Sequence, residues 1–146
     1  MSEIGDVIQE KCISFADCII KLNDYLLEQA VSAIQPSDVT QPSSVKPLSF
    51  RVPVHLQSVA TLSNQLLRSG TSIGANNAEA SNAVSKADYR NKSFIALKEA
   101  RESLYWLELL HRNNYLSDEQ YNSIYADCEE LVKLLVHRCK KLDKAE

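Results

Sequence analysis

The sequence predicts an all-α protein, an antiparallel up-down four-helix bundle that forms a single domain over residues 1–146. Three observations lead to this prediction. The chain contains only 3 Gly and 4 Pro, where average usage gives roughly 17, so it has few turns and a few long elements. All four prolines fall between residues 36 and 53, which leaves the rest of the chain free to be helical. Elsewhere, apolar residues recur at spacings of three and four.

The first two helices are predicted on either side of the proline-containing segment. Apolar periodicity defines the first helix over about residues 4–34 and the second over about residues 54–81. The apolar positions of the first helix are Ile8, Cys12, Phe15, Ile19, Leu22, Leu26 and Ala33. Residues 35–53, QPSDVTQPSSVKPLSFRVP, are predicted to form a long Pro/Ser-rich connection, which is uncommon inside a compact domain.

Helix-capping residues predict where the last two helices begin. Ser85, followed three residues later by an acid, predicts a helix over residues 86–112. Ser117 and Gln120 have the spacing of a capping box and predict a helix over residues 118–143. The turn between these two helices is short, so they should be antiparallel neighbours.

The segment LLRSGTSIGANNAEA, residues 66–80, is the most unusual part of the predicted second helix. Four polar residues in it are spaced by 4, 4 and 3 and lie on one face, the polar seam: Arg68, Ser72, Asn76 and Glu79. We interpret the polar seam as structural and bonded to a neighbouring helix or subunit; an exposed polar face is the alternative. Gly70 and Gly74 lie four residues apart in the same helix, which indicates close packing of another helix there.

The predicted third helix is apolar over nearly its whole circumference near its end. A helix in a small bundle needs an apolar stripe only about 100° wide, so part of this surface needs another cover. The candidates for a subunit interface are Tyr105, Trp106, Leu109 and Leu110. The alternative is that the 35–53 connection covers these residues within one chain.

The charge of the chain does not favour nucleic acid as its main partner. Sixteen Lys and Arg against nineteen Asp and Glu leave a net charge of −3. Two local basic clusters still provide candidate phosphate contacts, at Lys86 and Arg90 and at Lys140 and Lys141. A solvated helix face, with the last cations complementing the helix dipole, is the alternative interpretation.

No catalytic, metal-binding or cofactor-binding residues are predicted. The three histidines are far apart, and the chain has neither a phosphate-binding Gly-rich loop nor a nucleophile elbow, so an enzyme is not expected. The four cysteines lack a C-x-x-C pair and are interpreted as small buried residues. No apolar run is long enough to span a membrane and the N-terminus has no signal-peptide core, so a cytoplasmic protein is expected.

Four strings within residues 63–143 carry a family resemblance. They are QLLRSGTSIGANNAEA (65–80), SKADYRNKSFIALKEA (85–100), SLYWLELL (103–110) and YADCEELVKLL (125–135). Together they resemble the 23S rRNA-intervening sequence protein family, whose superfamily includes the accessory variability protein of diversity-generating retroelements. The first string is the most specific, because it keeps the whole spacing of the family's motif.

The resemblance implies a left-handed up-down bundle, a ring-shaped homopentamer and no known catalytic activity. In the retroelement relative, the ring is a basic adaptor that binds nucleic acid and the reverse transcriptase. This chain is acidic instead, with a net charge of −3. We therefore expect a homo-oligomeric scaffold or adaptor that binds a protein partner. The alternative is a protein that binds structured RNA or an RNA–protein complex.

Overall fold

The computed structural model describes residues 3–33 and 54–143, and every regular element within them is an α-helix. The four helices are α1 (Glu3–Ser32), α2 (Val54–Ser81), α3 (Lys86–Arg112) and α4 (Asp118–Asp143). Each helix packs against the next, and α4 also contacts α1, so the four close into an all-α bundle. The predicted fold class is confirmed, and helix bounds differ from the expected ones by at most two residues. The predicted 35–53 connection lies outside the described residues.

Side chains cap the first turns of α3 and α4, as the sequence predicts. The Asp88 backbone N–H donates a hydrogen bond to Ser85 Oγ (3.1 Å). At the start of α4, the Ser117 N–H donates to Gln120 Oε1 (3.0 Å), and the Gln120 N–H donates to Ser117 Oγ (3.2 Å). These bonds satisfy backbone groups that a helix start leaves without a partner. The predicted starts of both helices are therefore confirmed.

An asparagine makes the tight turn between α3 and α4. Asn114 has a φ of 60°, a left-handed conformation that usually favours glycine. Its N–H donates to the His111 carbonyl oxygen (2.9 Å), and the Tyr115 N–H donates to the Leu110 carbonyl oxygen (2.9 Å). This pair of bonds is a Schellman motif, which ends a helix and satisfies its last carbonyl groups. The chain can therefore reverse within a few residues, and α3 and α4 lie antiparallel.

Buried residues on α1 and α2 follow spacings close to a heptad repeat. On α1 they are Ile8, Cys12, Phe15, Ile19, Leu22, Leu26 and Ala30. On α2 they include Val59, Ser63, Leu66, Ile73, Asn77 and Ala80. Alternating steps of three and four keep one helix face against its neighbour. Ala30 ends the buried face of α1, not Ala33 as expected, because Ala33 follows the last helical residue and is exposed.

Small residues bring α2 and α3 close together. Ala96, Ala100 and Ser103 of α3 are fully buried, and Ser69 of α2 is nearly so. The hydroxyl oxygens of Ser69 and Ser103 lie 2.8 Å apart, and Ser103 also donates to the Glu99 carbonyl oxygen (2.9 Å). These bonds matter because an unsatisfied buried polar group costs about 1–3 kcal/mol. The close contact places the polar seam of α2 beside α3.

Candidate functional site

The residues of the polar seam lie beside α3 but do not share one hydrogen-bond network. Asn76 Nδ2 donates to the Ser72 carbonyl oxygen one turn earlier (2.9 Å). The Glu79 carboxylate forms an ion pair with Lys92 of α3, so this member does reach a neighbouring helix. Arg68 is exposed on the single chain. The burial and bonding expected of Arg68 therefore stay a prediction.

The two glycines of α2 lie in close contact with side chains of α1. A Cβ atom on Gly74 would be 3.2 Å from Cys12 Cβ, and one on Gly70 would be 3.3 Å from Ile19 Cγ1. Both distances are shorter than the optimal carbon–carbon separation of about 3.5–4.0 Å. Neither glycine has a positive φ, so lack of space and not backbone conformation explains glycine at these positions.

Sequence reasoning missed a second set of polar residues, inside the α1–α2 contact. Asn77 is fully buried, and its Nδ2 donates to Gln9 Oε1 (2.5 Å). Asn77 Oδ1 has no hydrogen-bond partner among the described residues. Ser63 Oγ donates to Asn23 Oδ1 in the same contact. The signal was present in the sequence, because Ser63, Gly70 and Asn77 are seven residues apart on the inward face.

The exposed apolar patch on α3 is smaller than the sequence predicts. Tyr105 is 54% exposed, and its ring meets Trp106 edge-on with centroids 4.9 Å apart. Leu109 is half-buried beside them. Leu110 is fully buried in the core, which removes it from the side chains available to a subunit interface. It lies one turn after the core residue Leu107 and so shares its inward face.

A groove of about 250 Å³ lies between α3 and α4. Its apolar lining comes from Phe94, Leu97, Val136 and Cys139, and its charged lining from Lys98, Arg101, Lys140 and Asp143. Arg90 binds the Asp143 carboxylate (2.7 Å) and lies over the Phe94 ring, 5.0 Å from its centroid. The three cations that line the groove form no ion pair with any residue in the described ranges. The groove therefore combines an apolar floor with uncompensated positive charge.

The four candidate nucleic-acid contacts lie where α3 begins and α4 ends. Lys86, Lys140 and Lys141 are exposed. Arg90 is half-buried and already bound to an acid of α4. Arg138, which is not one of the four candidates, is 8% exposed and has its guanidinium group over a tyrosine ring of α3. The structure thus brings cations of two helices to one end of the bundle. Of the four candidates, Arg90 already forms an ion pair with an acid of the same chain.

Three of the four cysteines are buried, as expected. Cys18 is exposed, so the prediction that it is buried is wrong. Cys18 directly precedes the core residue Ile19, and one residue along a helix turns the side chain by about 100°, away from the core. Burial raises the pKa of the Cys12 thiol to about 11 and that of Cys128 to about 12. Such thiols stay protonated at neutral pH and are poor nucleophiles.

A histidine–carboxylate pair joins the two helices beside the α3–α4 turn. His111 Nε2 lies 2.7 Å from Asp118 Oδ1, and the His111 ring stacks on Tyr121 with centroids 4.2 Å apart.

Within residues 3–33 and 54–143, no three His, Cys, Asp or Glu residues are close enough together to hold a metal ion. No helix of this part of the chain has the length and apolar character needed to cross a membrane.

Comparison with known proteins supports the family resemblance. The family model for the 23S rRNA-intervening sequence protein matches residues 51–137. The chain is also similar to the crystal structure of a protein of unknown function from the S23 ribosomal protein family of Bacteroides thetaiotaomicron. The two share 39% sequence identity with a TM-score of 0.73, and the match covers 94% of this chain and 98% of the other. No curated protein is significantly similar in sequence. The chain therefore belongs to the 23S rRNA-intervening sequence protein family.

Proposed function

We propose that the protein is a non-enzymatic, homo-oligomeric scaffold or adaptor that binds a protein partner. The observation that carries this proposal is the apolar surface that is exposed on the described part of the chain. On α3 it comprises the exposed Tyr105 with the half-buried Trp106 and Leu109, and α1 adds exposed aliphatic side chains. Clustered exposed apolar residues are typical of protein–protein contacts. The non-enzymatic part rests on the sequence, which has no recognisable catalytic motif.

Self-association would bury this surface on every copy at once. Burying one large apolar side chain stabilises by about 1.5–3 kcal/mol, so several such residues per chain offset much of the entropy lost on association. A contact between two different faces produces a ring when the rotation closes. The resemblance to the family's homopentamers supports a ring of five copies. An assembled ring repeats each surface and offers a protein partner several identical contacts.

Gel filtration coupled to light scattering tests the oligomer. We expect a mass that is a multiple of 16.4 kDa and does not change on dilution. Trp106→Ala should weaken the assembly, because it removes the largest side chain of the α3 patch. Val84→Ala removes an exposed apolar side chain between α2 and α3, outside both surfaces, and serves as the control. The mass of a single chain at every concentration would contradict the proposal, whereas a fully assembled Trp106→Ala variant would place the interface elsewhere.

A second candidate function is binding of structured RNA or of an RNA–protein complex. It is favoured by the exposed cations at one end of the bundle, since Lys86, Lys140 and Lys141 pair with no acid in the described part of the chain. Phosphate contacts are local, so a segregated basic face can bind RNA even on a protein whose net charge is −3. The net charge itself opposes long-range attraction of nucleic acid.

The salt dependence of RNA affinity tests this second candidate. Affinity for a structured RNA should fall steeply with salt, as counterion release requires. Lys140→Glu with Lys141→Glu should abolish binding. Lys21→Glu with Arg112→Glu changes the net charge equally at exposed positions elsewhere and should retain most of it. No detectable binding at about 50 mM salt would remove this candidate and leave the scaffold proposal intact.

A further inference from the structure

On its outward face, α1 carries alternating apolar and acidic residues. This α1 stripe consists of Ile13, Asp17, Ile20, Asp24, Glu28 and Val31. Spacings of 4, 3, 4, 4 and 3 keep the stripe on one face, opposite the buried residues of α1. Ile13 is 54% exposed, Ile20 44% and Val31 57%. These three side chains align on one face but lie about 10 and 16 Å apart along the helix axis, with the acidic residues between them. The face is therefore mixed, with apolar and acidic side chains presented together.

A second outward face, on α3, has the complementary composition. This α3 stripe consists of Phe94, Lys98, Arg101 and Tyr105. Spacings of 4, 3 and 4 again keep the four on one helix face. Phe94, Lys98 and Arg101 line the groove between α3 and α4. Tyr105 extends the stripe beyond the groove, toward the exposed patch of α3.

The two stripes carry charges of opposite sign, and the charged residues of neither stripe form an ion pair within the described part of the chain. Asp17, Asp24 and Glu28 form no ion pair with a cation that the structure describes. Lys98 and Arg101 likewise form none with a described acid. Six acidic residues and only two lysines occur along α1. Since α1 and α3 are not neighbours in the bundle, the stripes of one chain do not neutralise each other.

We propose that the α1 stripe of one copy packs lengthwise against the α3 stripe of a second copy, beside the α3–α4 groove. This inference rests on the proposed homo-oligomer and names the two surfaces that form it. In this arrangement the aliphatic residues of the α1 stripe pack on Phe94 and Tyr105. Its carboxylates lie opposite Lys98 and Arg101. Charge complementarity selects the partner and the register, while apolar burial supplies affinity.

The contact joins two different faces, so it is heterologous. Each copy offers its α1 stripe to one neighbour and its α3 stripe to another. Repeating such a contact builds a closed ring or an open filament, depending on the rotation between copies. A second copy suits the groove because the same chain supplies an apolar and acidic helix face of the right spacing.

Charge reversal tests the pairing. Lys98→Glu with Arg101→Glu places like charges across the contact, and Asp17→Lys with Asp24→Lys does the same from the other side. Each pair of substitutions should raise the apparent dissociation constant about a hundredfold or more, because like charges are strongly unfavourable across an interface. The variant with all four substitutions restores opposite charges with the signs exchanged. It should therefore recover the mass of the native oligomer in light scattering.

A matched control separates the stripes from the net charge. Lys86→Glu with Lys141→Glu changes the net charge as much as the reversal on α3, at exposed positions outside both stripes. It should leave the oligomer mass unchanged. Circular dichroism verifies that each variant keeps its helical content. If a reversal unfolds the chain, Lys98→Gln with Arg101→Gln replaces it, with an expected rise of about tenfold in the dissociation constant.

The outcomes distinguish this inference from the proposed function. If the two charge reversals change the dissociation constant of the oligomer no more than the control substitutions do, the inference is wrong. The scaffold proposal would then still stand. Dissociation by each reversal without recovery in the fourfold variant would also overturn it, because the stripes would then meet other surfaces. A native protein that is a single chain at every concentration would overturn the oligomer and the inference together.

Discussion

At the scale of single residues, Gly74 illustrates how the absence of one carbon atom controls the distance between two helices. A glycine inside a helix costs about 1 kcal/mol relative to alanine. Here it is retained at a point where an added Cβ would lie 3.2 Å from Cys12 Cβ. The position therefore exchanges helix propensity for a close contact between α1 and α2.

Enlarging this residue should open the α1–α2 contact. We expect Gly74→Leu to lower the free energy of unfolding by more than about 3 kcal/mol, beyond the usual range for overpacking, because its side chain has to displace Cys12. Urea denaturation measures the change. Ala75→Leu is the matched control, since Ala75 is the next residue and is exposed. Equal effects of the two substitutions would show that Gly74 is not a point of close packing.

At the scale of the helical elements, the start of α4 depends on a reciprocal pair of hydrogen bonds. The Ser117 hydroxyl and the Gln120 side chain each accept a backbone N–H of the other residue. The turn before this cap has no glycine and relies on Asn114 in the left-handed region. The conformation of the α3–α4 connection therefore depends on a small number of local hydrogen bonds.

Removing the cap should destabilise the protein without changing its fold. Ser117→Ala is expected to cost about 1 kcal/mol, the usual loss for an N-cap serine. Gln120→Ala should lower the free energy of unfolding less in the Ser117→Ala variant than in the native protein, because the reciprocal hydrogen bonds are already broken there. Ser123→Ala, at an exposed position within α4, is the control and should have little effect. Additive losses in thermal or urea unfolding would argue against a reciprocal cap.

At the scale of the whole molecule, two buried thiols link stability to alkaline pH. The pKa values of Cys12 and Cys128 are about 11 and 12 in the folded protein and 9.0 without burial. Below pH 9 both thiols are protonated in the folded and the unfolded chain. As the pH rises further, the unfolded chain loses protons that the folded chain keeps, so the unfolded state is favoured. The contribution of the two thiols to the free energy of unfolding is therefore fully present below pH 9 and decreases as the pH rises above 9.

We expect the free energy of unfolding to decrease by about 1.4 kcal/mol per pH unit for each thiol between roughly pH 9.5 and 10.5. Urea denaturation under reducing conditions measures this slope. Replacing both residues, Cys12→Ala with Cys128→Ala, should flatten it. Cys18→Ala, at the exposed cysteine, should keep the native slope. A variant without the two buried thiols that loses stability as steeply as the native protein would contradict the assignment.

The net charge of −3 conceals an uneven distribution of charge over the molecule. Six acids and two lysines occur along α1, whereas uncompensated cations line the α3–α4 groove. The amino-acid composition gives the total charge of the chain but not the positions of the charged residues on its surface. For this reason the sequence could argue against a uniformly basic protein but could not show which surfaces carry opposite charge.

The four helices could be predicted from the sequence, because the signals that define them are local. The caps at Ser85 and Ser117, the periodicity of the apolar residues and the scarcity of glycine and proline all act within a few residues of chain. The order of the helices and the short α3–α4 turn then favoured an antiparallel bundle. Family membership could also be recognised from strings within these helices.

Which residues of each helix are buried could not be predicted from local signals, since burial depends on the neighbouring helix that packs against a face. Arg68 is exposed, whereas Asn77 is buried against Gln9. Leu110 lies in the core, and Phe94 lines a groove that no single helix contains. Periodicity places a side chain on a face, but the packing of the other helices determines whether that face meets protein or solvent.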